Sequence, residues 1–183
     1  MAKTKEQLLN ILDQFQLDEK VVSAEPFGNG HINDTLKVTN EKGEIKYVLQ
    51  RINHLIFTNV DMLQNNIHVV TTHIRKKLEE KGETDIDRKV LTFLPTKDGK
   101  KYYFDGDSYW RVCLFIPRSK SYEEVTPELS YEAGKAFGDF QTMLSDIPEG
   151  TLGETIPFLV PKTDPNASRE NLFALFRQAG WKR

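Results

Sequence analysis

VVSAEPFGNGHINDTLKVTNEKGEIKYVLQRI, residues 21–52, is the stretch on which the fold turns. Val21 to Phe27, Thr35 to Thr39 and Ile45 to Ile52 are short runs of β-branched and apolar residues with turn formers between them. Asn40-Glu41-Lys42-Gly43 reads as the hairpin turn between the second and third runs, and Gly28-Asn29-Gly30 breaks the chain between the first and second. The spacing predicts three antiparallel strands.

Working outward, Thr4 can cap a helix with Gln7 three residues later in a capping box, and Leu8, Ile11, Leu12 and Phe15 recur at helical spacing. On the other side, Leu63, Ile67, Val70, Ile74 and Leu78 put one apolar stripe on a helix from Asp61 to about Glu80, ended by Lys81-Gly82. Val90 to Leu94 and Tyr102 to Phe104 flank Pro95-Thr96-Lys97-Asp98-Gly99-Lys100, a hairpin turn by composition, and Tyr109 to Ile116 is a further strand. Pro127 to Leu144 reads as a helix with Thr126 as its cap and proline in its first turn. Residues 147–167 hold Pro148, Pro157, Pro161 and Pro165 and read as an irregular linker, followed by a last helix from Ser168 to Ala179. The fold class is therefore α+β: an antiparallel sheet of about five strands with a packed helix, plus a C-terminal helical extension. The organisation expected is a helix over 1–20, the sheet-bearing lobe over 21–120, a linker helix over 121–147 and a tail over 148–183.

Composition narrows the function classes. In 183 residues, 38% hydrophobic and 28% charged residues make a folding, non-disordered chain. Lys and Arg number 25 against 27 Asp and Glu, a net charge of −2, so no basic field argues for nucleic acid or an anionic membrane. No apolar run approaches the roughly 20 residues of a membrane span. The single cysteine, Cys113, has no internal partner, and Met1-Ala2-Lys3-Thr4-Lys5 opens no signal-like apolar run, so the expectation is a reduced, cytoplasmic protein.

Chemistry is concentrated in Phe27-Gly28-Asn29-Gly30-His31-Ile32-Asn33-Asp34-Thr35. A turn without side chains at Gly28 and Gly30 lets backbone N–H groups come close to phosphate oxygens, although Gly-Asn-Gly between strands is more often only a hairpin. It is not a Walker loop, since no Gly-Lys-Ser/Thr follows and the next element is a strand. Taken with Tyr47-Val48-Leu49-Gln50-Arg51-Ile52-Asn53 and Asn66-Ile67, the segment resembles the aminoglycoside phosphotransferase and choline kinase superfamily, and within it the N-acetylhexosamine 1-kinase-like proteins. The likeness covers about residues 21–147.

That resemblance implies a protein-kinase-like N-lobe, ATP with Mg2+, and transfer of the γ-phosphoryl group to a sugar or other small hydroxyl compound. By likeness, Gly28, Asn29, Gly30 and His31 would cover the nucleotide phosphates, with Asn33 and Asp34 shaping the loop. Many relatives keep Lys on the third strand; here the position is Gln50 or Arg51, and strand alternation lets only one of them face the phosphates. The turn Met62-Leu63-Gln64-Asn65-Asn66 carries no acid to pair with that position, so Asn66 would brace Gln50 or Arg51 by a neutral hydrogen bond. Leu114, Phe115 and Ile116 resemble the strand running into an adenine-binding hinge, with Cys113 or Leu114 lining the pocket.

The second-lobe His-x-Asp with Asn five residues after the Asp is not found among the 183 residues: after His31-Ile32-Asn33-Asp34 the corresponding position is Thr39. The expectation is a truncated or partial sugar kinase, an ATP-binding lobe inactive alone, whose interlobe face would expose an apolar patch and favour self-association. A non-catalytic nucleotide- or protein-binding module on the same scaffold is the alternative. A sulfatase reading fails, because Cys113 lies four residues from Pro117 and no cluster of Asp surrounds it.

Overall fold

The structure is a computed structural model that describes residues 3–28, 32–120, 122 and 124–156. The last predicted helix, 168–179, lies outside the described residues. Helix α1 (Lys5–Leu12) begins as the sequence predicts: Thr4 accepts the Gln7 N–H and the Gln7 side chain accepts the Thr4 N–H at 2.9 Å. Strands β1 (Val21–Pro26), β2 (Asp34–Asn40) and β3 (Ile45–Ile52) form an antiparallel meander. At the β2–β3 turn the buried Asn40 accepts the Lys42 and Glu44 N–H groups, and Gly43 takes φ +80, where a side chain would be strained.

After helix α2 (Val60–Glu80) come a short 3-10 turn (Ile86–Arg88), β4 (Phe93–Leu94), β5 (Tyr103–Phe104), β6 (Tyr109–Leu114) and helix α3 (Pro127–Leu144). One six-stranded sheet results, ordered β1-β2-β3-β6-β4, with β5 also on β6. The expected hairpin across residues 95–100 does not pair β4 with β5. Both strands instead lie along the same edge of β6: Phe93 and Leu94 oppose Cys113 and Val112, while Tyr103 and Phe104 oppose Trp110 and Tyr109. They are two pieces of one edge strand, and residues 95–102 leave it opposite Arg111. The excursion closes its own turn, with the Thr96 N–H donating to Lys100 at 2.8 Å, and is held by the segment that follows α1. The Gln16 N–H donates to Pro95 at 3.0 Å, the Lys97 N–H to Gln14 at 2.7 Å, and Thr96 is buried with bonds to Asp98 and Lys100.

The main core lies between α1 and one face of the sheet: Leu8, Ile11, Leu12 and Phe15 pack on Leu36, Val38, Tyr47, Leu49, Trp110 and Val112. On the other side of the sheet α2 packs through two smaller clusters, only the first of which includes sheet residues. Ile52, Val60 and Leu63 form one, and Ile74, Leu78 and Val90 form the other, joined by Met143 and Leu144 of α3. None of the residues of α3 is buried, and Tyr131 is 72% exposed. Among the described residues no helix is long and apolar enough to cross a membrane.

Candidate functional site

Strand periodicity settles which β3 side chain faces which way. Tyr47 and Leu49 are buried in the α1 core, so Arg51 belongs to that face, while Gln50 alternates with Ile52, which packs on α2. Arg51 donates from Nε to Asp34 at 2.6 Å and pairs with it at the sheet's end. Gln50 is thus the β3 residue on the α2 face. Its Nε2 donates to Thr35 Oγ1 at 3.0 Å, and its Oε1 accepts Arg111 Nε at 3.0 Å. The register explains both bonds, because Thr35, Gln50 and Arg111 stand directly opposite one another across β2, β3 and β6.

Arg111 is the site residue that sequence reasoning misses. Its guanidinium carbon lies 5.2 Å from the centre of the Phe93 ring, and one of its terminal nitrogens is buried without a hydrogen-bond partner. Burial lowers its pKa from the usual arginine value, with the nearby Cys113 acting in the opposite sense. The same burial pushes the Cys113 thiol up to about 11, which leaves it protonated and unreactive at neutral pH. A signal exists: Arg111 stands between Trp110 and Val112 in a strand whose flanking residues are all apolar, a place where a charge needs a reason.

Gly28, at the start of the loop between β1 and β2, has φ +79 and nothing within 4 Å of where a Cβ would stand. Asn29, Gly30 and His31 lie outside the described residues. The residues that follow are tied to β3: Asn33 accepts the Asn53 N–H at 3.0 Å, and Asp34 holds Arg51. Phe27, whose N–H donates to Thr35, meets Phe115 edge-on, with centroids 6.0 Å apart, so the base of the loop touches the segment after β6. There the Leu114 N–H donates to Thr92 and the Phe115 N–H to Lys46, each at 2.9 Å, so both donors are committed to the sheet. Ile116 makes no such bond through its N–H among the described residues.

Asn66 does not brace β3. Its amide donates to the Gly153 carbonyl at 2.6 Å and accepts the Gly153 N–H at 3.0 Å, clamping the segment after α3 onto α2. A Cβ at Gly153 would come within 2.5 Å of the Met62 sulfur, so a larger residue there would require the Met62 side chain to move. The polar α2 residue turned to the interior is Gln64, which is 3% exposed and has a buried Nε2 without a partner. It stands four residues after Val60 and three before Ile67, on the stripe that should be apolar.

No group of three or more His, Cys, Asp or Glu that could hold a metal ion occurs among the described residues. No protein-family model matches the chain.

Proposed function

We propose that this chain is the ATP-binding lobe of a small-molecule phosphotransferase of the aminoglycoside phosphotransferase type, with a sugar, an N-acetylhexosamine, as the acceptor of the whole reaction. The observation that carries the reading is the row Thr35–Gln50–Arg111 on the sheet face away from α1, directly following a loop opened by a glycine at positive φ. In this arrangement Arg111, not a β3 lysine, brings the positive charge to that face, and Gln50 holds it in position by accepting from Nε. The unpartnered guanidinium nitrogen is a donor in want of an oxyanion, the chemistry a nucleotide phosphate supplies.

Adenine would lie against Phe27 and Phe115, and the Ile116 N–H is the backbone donor left for it, with Cys113 at the pocket wall, because Leu114 packs into the α1 core on the opposite face of β6. Gly28, and by likeness Asn29, Gly30 and His31, would close over the phosphates, braced by the bonds that Asn33 and Asp34 make to β3. Among the described residues no carboxylate set for Mg2+ is brought together. The role of the chain's own residues is to bind and orient, and phosphoryl transfer requires a positioned carboxylate and metal that this spacing of residues does not present.

Isothermal titration of the chain with ATP tests the reading. Saturable binding is expected, and Gly28→Val should weaken it by about tenfold or more, because a β-branched side chain resists positive φ and stands where the phosphates pass. Absence of ATP binding, or equal affinity in the variant, would remove the nucleotide reading.

A further inference from the structure

Between its two apolar clusters, α2 stands off the sheet. Gln64, His68, Thr71 and Arg75 follow one another at helical spacing and line a cavity of about 420 Å3 whose far wall includes Leu91 and Phe93. The volume lies within the range of small-molecule sites. A polar stripe in the middle of a helix whose two ends pack on Ile52 and Val90 needs an explanation, since apolar residues there would close the gap.

We propose that this cavity binds a small organic anion, an aromatic or aliphatic body carrying one carboxylate or phosphate group. Three observations carry it. First, the Nε2 of Gln64, a residue almost wholly buried, has no hydrogen-bond partner among the described residues, so that donor is unspent on the protein. Second, no carboxylate lines the cavity, whereas Lys101 and Arg75 do. Arg75 is compensated by Asp87 at 2.6 Å, but the Lys101 ammonium donates only to the neutral Asn65 Oδ1 at 3.0 Å. Third, Phe93 offers an aromatic wall, with Leu91 beside it, for the ligand's apolar body. The site shares no residue with the proposed nucleotide site but abuts it, because the Arg111 guanidinium lies 5.2 Å from the centre of the Phe93 ring, so the titrations are made without ATP.

The test uses the whole chain titrated calorimetrically with phenyl phosphate and phenylacetate, with inorganic phosphate and benzyl alcohol as controls. At least one aryl anion should bind saturably, at least about tenfold more tightly than either control, and the preferred aryl anion identifies the oxyanion. Lys101→Ala should weaken that binding about tenfold, and Gln64→Leu should weaken it while leaving the melting temperature unchanged or higher, because an unpartnered buried amide is removed. If Gln64→Leu does not fold, the exposed Lys101→Ala carries the decision. Failure of both aryl anions to saturate, benzyl alcohol binding as tightly, or binding indifferent to Lys101→Ala would overturn the proposal.

Discussion

The two faces of one sheet are built on opposite principles. Toward α1, ten buried residues from Leu8 to Val112 form a single apolar cluster without a charged group among them. Toward α2, the apolar contacts split into two groups of three buried residues, and two buried polar nitrogens, on Gln64 and Arg111, go without partners. A buried donor without a partner costs about 1–3 kcal/mol, and among the described residues both such side-chain donors lie on the α2 side of the sheet. Mutations on the two faces should therefore fail differently.

The largest effect belongs to the α1 face. Leu49, fully buried at the centre of that cluster, should cost about 2–5 kcal/mol when replaced by Ala, read as a lowered urea midpoint. Ligand affinity of the fraction that stays folded should not change. Next comes Arg111→Met, which keeps the bulk on Phe93 and removes the charge. ATP affinity should fall on the order of tenfold to a hundredfold, the loss of a charge-assisted bond, with a far smaller shift in the urea midpoint than Leu49→Ala gives. A midpoint shift as large as that of Leu49→Ala, with affinity intact, would mean that Arg111 is a structural residue and that the faces are not divided as stated.

Features set by neighbours along the chain are legible in the sequence itself. The Thr4–Gln7 box, the Thr126-Pro127 start of α3 and the limits of β3 all appear where the residues place them, because caps and alternation act within a few positions. Pairing between distant segments is not legible in the same way. The turn residues of 95–100 suggest a hairpin, yet the segment after α1 captures that loop and β4 and β5 share the edge of β6. The candidate site is half legible for the same reason. Alternation limits the inward residue to Gln50 or Arg51, but only burial of Tyr47 and Leu49 under α1 decides for Gln50. The surroundings of Arg111 and Gln64 emerge only once the packing of both sheet faces is known, and Asn66 reads as a brace to β3 because its real partner, Gly153, lies 87 positions away.

The smallest effect, and the finest probe of the α1 face, is the titration of Asp105. Its carboxylate turns the chain between β5 and β6, accepting the Asp107 and Ser108 N–H groups at 3.0 and 2.8 Å and the Trp110 indole N–H at 2.9 Å, while Lys3 lies 2.8 Å away. Burial acts to raise its pKa, but Lys3, the two amides and the indole together hold it down at about 2. The folded value lies below the unfolded one of roughly 3.9, so the stabilisation is fully present above that value and is lost as pH falls toward 2. Urea midpoints measured from about pH 5 downward should fall more steeply for the native chain than for Asp105→Asn, the difference amounting to about 1 kcal/mol. Because Trp110 belongs to the α1 cluster, its fluorescence should report the same transition. Parallel curves for the two proteins would show that Asp105 carries no charge-dependent share of this face, and Asp146, which meets Lys77 and His73 on the α2 side, would be the next carboxylate to neutralise.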